Sequence, residues 1–133
     1  MAGPIWLDKA LLLALYDDVV GASGGAAGLR DEGLLESAIA RPMNRLHYEG
    51  VDDILELAAT YAVGIASHHP FVDGNKRMAF IALGQFMADN GFVLTASDDD
   101  AIKVMLGVAT GRVEIADLTN WLRSRTVRAF RPL

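Results

Sequence analysis

Residues 68–77 read His-His-Pro-Phe-Val-Asp-Gly-Asn-Lys-Arg, which puts imidazoles, a carboxylate and two cations within ten positions. Apolar runs on either side place Lys76 and Arg77 in the first turn of a helix. That is the wrong end for cations. The macrodipole is positive there, so each costs about 0.3–1 kcal/mol unless an anion is at hand. The N–H groups of a first turn also lack intrahelical acceptors. Bare amides, two cations and a dipole converging on one point make a phosphate site. Beside it, His69 supplies an imidazole, a side chain able to take the proton of a substrate hydroxyl.

Each residue also has an ordinary use. His69 taken alone reads as a partly buried, satisfied histidine, and Asp73 as a turn stabiliser. Next to cationic anchors, Asp73 suits Mg²⁺, which takes one or two carboxylates plus phosphate oxygens. Gly74 permits positive φ and close approach of the backbone to a phosphate. Asn75 can begin a helix, and Arg77 can grip phosphate with two parallel bonds. A surface salt bridge for Arg77 fits poorly beside an otherwise apolar helix. Phe71 reads as a core anchor for the loop. His68 and His69 do not make a metal pair, because neighbouring side chains on a helix diverge and no third ligand has suitable spacing.

Two helices must position this loop. Ile54 to Ser67 carries Glu56 as its only charge, and Met78 to Ala88 carries none. Helices apolar all round lie at the centre of a domain or in a membrane, and neither run approaches the ~20 apolar residues of a span. Pro70 biases His69 away from the α region, so the first helix should stop near His68. Asp73-Gly74 is turn chemistry, and Asn90-Gly91 a C-terminal stop. Across the chain, helices are expected near 8–20, 31–41, 52–68, 75–90, 98–110 and 114–126. Asp31 and Ser97 serve as N-caps, Pro42 ends the second helix, and Gly111 ends the fifth. Gly21 to Gly28 reads as a flexible connector. No strand, repeat or interdomain linker stands out. The expectation is one domain over 1–133, an all-α bundle around the two apolar helices.

The decapeptide resembles the signature of the Fic/Doc superfamily, H-x-F-x-[D/E]-G-N-x-R, with every fixed position filled by His69, Phe71, Asp73, Gly74, Asn75 and Arg77. Residues 28–42 are similar to the segment that precedes the signature in that family. The resemblance implies a compact helical Fic/Doc fold of about six helices, at times with a short hairpin flap, which residues 21–30 are placed to supply. It implies His69 as general base, Gly74, Asn75, Lys76 and Arg77 as nucleotide- and phosphate-binding residues, and Asp73 as the Mg²⁺ ligand. Family members that transfer AMP generally carry Gly where this chain has Lys76, and a second Arg where it has Phe80. Those departures look like the Doc branch, the death-on-curing toxins. The branch implies that ATP presents its γ-phosphoryl group to His69, for transfer to a threonine of elongation factor Tu. It also implies a small cognate antitoxin. AMP or other nucleotidyl transfer, or a non-catalytic anion-binding module, remain the alternatives.

Composition is compatible with that expectation. The 133-residue chain has no cysteine, so it is not a disulfide scaffold, and it suits a reducing cytoplasm. The Leu-rich stretch near the N-terminus is short and flanked by Asp8, Lys9, Asp17 and Asp18, unlike a secretory signal. Net charge is −5, yet Arg123, Arg125, Arg128 and Arg131 fall among the last eleven residues, leaving 8 basic against 17 acidic residues, a net of −9, elsewhere. An acidic body is a poor match for nucleic acid. The basic tail reads as a solvated helix end rather than a partner contact. Hydrophobic residues form 52% of the chain and mean hydropathy is +0.26. A generously packed core accounts for that, as does an apolar groove for a partner, lined by Leu7, Leu11, Leu15 and Val19.

Overall fold

The computed structural model describes residues 3–20 and 28–129. Its elements are α1 (Lys9–Val19), α2 (Glu32–Glu49), α3 (Ile54–His68), α4 (Asn75–Asp89), β1 (Phe92–Leu94), α5 (Asp98–Ala109), α6 (Ile115–Arg123) and β2 (Thr126–Arg128). The order and helical character match the all-α Fic/Doc bundle expected from the sequence.

α3 lies at the centre because it has no polar face to give to water. Leu55, Leu57, Tyr61 and Ile65 are all buried, and a fully buried side chain of this size contributes roughly 1.5–3 kcal/mol. α4, α2 and α6 pack around it, and α5 covers α3 and α4. The approach of α2 is close where Gly64 faces Ala38: a Cβ added at Gly64 would lie 3.4 Å from the Ala38 Cβ. Asp53 caps α3, accepting from Leu55 N–H at 3.0 Å. Arg45 then ties α2 to α3 through Glu56 at 2.7 Å and Thr60 Oγ1 at 2.9 Å. Burial pushes the Tyr61 hydroxyl up to about 12, partly opposed by the N–H of Leu7, which donates to it. Among the described residues no helix is long and apolar enough to cross a membrane.

The expected helix boundaries hold at Asp31, Ser97, Asn90 and Gly111. Asp31 accepts from Leu34 N–H and Ser97 from Asp100 N–H. Asn90 caps α4 ahead of Gly91 at φ 89°, and Gly111 follows the end of α5 at φ 79°. Pro42 does not end α2, which continues to Glu49 and closes on Gly50 at φ 70°. An interior proline costs ~3 kcal/mol. Here the ring is buried, and Arg45, one turn on, anchors the continuation to α3. Two short strands also form where none was expected. β1 and β2 pair antiparallel, with Val93 opposite Val127, so α6 ends at Arg123 rather than near 126.

The described arginines of the basic tail meet partners within the protein. Arg123 pairs with Asp53, Arg125 lies over the Trp121 ring at 4.8 Å, and Arg128 over Phe92 at 5.3 Å. Arg131 lies outside the described residues, as does most of the connector and flap segment 21–30. α1 turns Leu12, Tyr16 and Val20 into the core. Leu7 is buried as well, so it cannot line a groove; of the residues expected there, Leu11 is exposed and Leu15 and Val19 are half-buried.

Candidate active site

The site begins where α3 is forced to stop. Pro70 excludes a further helical turn, and His69 takes the left-handed conformation at φ 51°, ψ 58°. It is the one non-glycine residue with positive φ among those described. For an L-residue that geometry costs roughly 1–2 kcal/mol. His69 keeps its N–H bonded to Ile65 O at 3.2 Å, while its exposed side chain turns into a cleft.

The loop that follows is held from beneath. Phe71 is buried, and its ring stacks on Tyr16 with centroids 4.1 Å apart and planes 9° from parallel. Tyr16 Oη donates to Asp73 O at 3.0 Å and accepts from Gly28 N–H at 3.3 Å. Asn75 closes the loop on itself: its Oδ1 accepts from Phe71 N–H, and its Nδ2 donates to Phe71 O, both at 3.0 Å. Residues 28–31 add a β-like edge. Leu29 bridges Phe71, Val72 N–H donates to Gly28 O at 3.0 Å, and the N–H groups of Arg30 and Asp31 converge on Pro70 O at 2.7 and 3.1 Å.

Gly74 then lets the chain enter α4. It sits at φ 80°, and a Cβ there would fall 2.7 Å from Val20 Cγ2. No side chain caps the helix. Gly74 N–H donates to Asp73 Oδ1 at 2.8 Å, while the N–H groups of Asn75, Lys76 and Arg77 meet no acceptor among the described residues. Lys76 and Arg77 are exposed and form no ion pair there. Lys9, by contrast, reaches Glu32 at 2.8 Å and Glu36 at 3.2 Å.

The cleft has a volume of about 970 Å³. It is lined by His69, Asp73, Gly74, Asn75, Lys76, Arg77 and Phe80 on one side, and by α5 on the other. α5 contributes Ile102, Met105 and Leu106, with Asp98 and Thr110 at its two ends. All the residues predicted for the site therefore line one hollow, though Asn75 spends its side-chain amide on Phe71 and offers the cleft a backbone N–H. Among the described residues no cluster of three or more His, Cys, Asp or Glu can hold a metal. A cation at Asp73 would need oxygens from a bound phosphate. A second hollow of about 620 Å³, between α2, α3 and α6, holds none of the motif residues.

Sequence reasoning missed Tyr16, Arg30 and the α5 wall. Arg30 does stand within the similar segment 28–42, but nothing local says that its side chain reaches the end of α3. Tyr16 lies outside the expected face of α1, and the apolar positions of α5 look like ordinary core.

A sequence model described as the Fic/DOC family matches residues 6–87. The chain is 36% identical over 112 residues to the protein kinase doc of Escherichia phage P1, covering 84% of this chain and 88% of that one. It is 42% identical over 81 residues to the toxin Doc of Mycolicibacterium smegmatis, covering 59% of this chain and 61% of that protein.

Proposed function

The chain belongs to the Fic/DOC family, and on that premise we propose that it is the toxin of a toxin–antitoxin pair, a cytoplasmic protein kinase that moves the γ-phosphoryl group of ATP to a serine or threonine hydroxyl of a translation factor. The resemblance to the Doc branch makes elongation factor Tu the acceptor and translation arrest the outcome. One observation carries the reading: two cations without an ion pair and three amides without an acceptor among the described residues converge on the first turn of α4, in the same cleft as His69.

Phosphoryl transfer needs positioning and charge neutralisation more than covalent chemistry. Arg77 grips phosphate oxygens as a fork, Lys76 adds a point charge, and the amides of residues 75–77 complete an anion cradle. His69 accepts the acceptor's hydroxyl proton as the phosphorus–oxygen bond to that hydroxyl forms and the bond to ADP breaks. Asp73 fits Mg²⁺ as a hard oxygen donor with phosphates beside it, and the bound ion would neutralise phosphate charge. Lys76 and Phe80, in place of the Gly and Arg of AMP-transferring relatives, favour γ- over α-phosphoryl transfer. A cognate antitoxin completes the system, with exposed Leu11 and half-buried Leu15 and Val19 on α1 as an apolar contact for it.

Incubation of acceptor with ATP labelled at the α- or the γ-phosphate tests the reading. Label arriving from the γ-position alone supports it. Label arriving from the α-position replaces it with nucleotidyl transfer, and no transfer from either points to an anion-binding module.

A further inference from the structure

Arg30 has no part in the phosphate cradle. Its guanidinium is directed at the end of α3, where Nε donates to His69 O at 2.7 Å and Nη2 donates to His68 O at 2.8 Å. Its own backbone N–H donates to Pro70 O at 2.7 Å. Three successive carbonyls, on both sides of the strained residue, are thus held by one arginine. It forms no ion pair among the described residues, so its charge is devoted to the negative end of the α3 dipole.

We propose that Arg30 is the positioning residue for His69: its fork fixes the peptide planes of His68 and His69, and so holds the left-handed turn that directs the imidazole into the cleft. The inference rests on His69 being the catalytic base. A planar guanidinium suits the task because two N–H vectors in fixed relation bind two carbonyls at once, which a single ammonium cannot reproduce. The phosphate cradle is braced separately, by Asn75 on Phe71 and by Tyr16 on Asp73. Loss of Arg30 should therefore disturb the base and spare the nucleotide site. A misplacement of about 1 Å in a reacting group costs on the order of 10²-fold in rate.

The test compares wild type, Arg30→Ala, Arg30→Lys and His69→Ala as purified full-length chains. For each, the His69 backbone chemical shifts are recorded by NMR, ATP affinity by titration, and kcat and KM by phosphoryl transfer. The expected result for Arg30→Ala is a His69 signal displaced from its left-handed signature, kcat reduced by about 10- to 100-fold, and ATP affinity within about twofold of wild type. Arg30→Lys should fall between the two, and methylguanidinium in solution should restore part of the Arg30→Ala rate. An unmoved His69 signal, an unchanged kcat, or ATP affinity falling in step with kcat overturns the inference. If Arg30→Ala does not fold, the same criteria apply to Arg30→Lys. Transfer surviving in His69→Ala refutes the catalytic reading itself; an inactive His69→Ala beside a fully active Arg30→Ala refutes only the role of Arg30.

Discussion

Asn75 satisfies both backbone polar groups of Phe71, accepting from its N–H and donating to its C=O at 3.0 Å each. The pair shuts the loop between the base and the anion cradle without using any group of the cradle itself. Asn75→Ala leaves both Phe71 groups unpaired in a partly buried setting. It should lower stability by about 1–3 kcal/mol, read as a lower urea midpoint. Asn75→Asp keeps the acceptor and adds a negative charge beside the phosphates. It should fold better than the alanine variant and bind ATP worse.

Tyr16 supports the same loop through ring and hydroxyl, and the two can be separated. Tyr16→Phe keeps the stack on Phe71 and removes both hydroxyl bonds, for a loss of about 1 kcal/mol. Tyr16→Ala removes the stack too and should cost about 3–5 kcal/mol. Thermal melts of the two variants, run with Gly74→Ala as a third break in the same loop, check the ranking.

Lys76 and Arg77 should separate folding from binding. Because neither cation is paired among the described residues, replacing either with alanine relieves repulsion at the helix N-terminus. The apoprotein should be unchanged or more stable by about 0.3–1 kcal/mol. ATP affinity should fall in both variants, more for Arg77→Ala because its fork is lost. Melting curves with and without ATP give both numbers; a destabilised apoprotein would mean that these cations have protein partners.

α3 and α4 were legible because their apolar runs are long, and the site because six motif residues lie within nine positions. What escaped was set by tertiary contact. Proline ends helices as a local rule, and Pro42 breaks it only because its ring is buried and Arg45 secures the next turn. Phe92–Leu94 and Thr126–Arg128 are three residues each, too short for alternation to show, and their partner strands are far apart in sequence. Asn75 starts α4 as expected, yet its reach back to Phe71 depends on the loop's own curvature. Tyr16 and Arg30 carry no local mark, since their value lies in carbonyls that only the fold brings near.

Tyr61 gives a pH signature. Its hydroxyl is raised to about 12 by burial, against about 10 in the unfolded chain. The folded state therefore holds the proton that the unfolded state releases, and stability is lost as pH rises from about 10 to 12. Tyr61→Phe leaves Leu7 N–H unpaired, so wild type should be the more stable at neutral pH by about 1 kcal/mol. That advantage should shrink above pH 10, by up to about 1.4 kcal/mol per pH unit. Denaturation of both proteins at pH 7 and pH 11 checks the sign.

The most direct measurement is intact-mass and peptide mass spectrometry of elongation factor Tu after incubation with this protein, ATP and Mg²⁺, alongside His69→Ala. The expected result is one added phosphoryl group on a serine or threonine with wild type and none with the variant. An added AMP, an unmodified acceptor, or a phosphoryl group that persists with His69→Ala would contradict it.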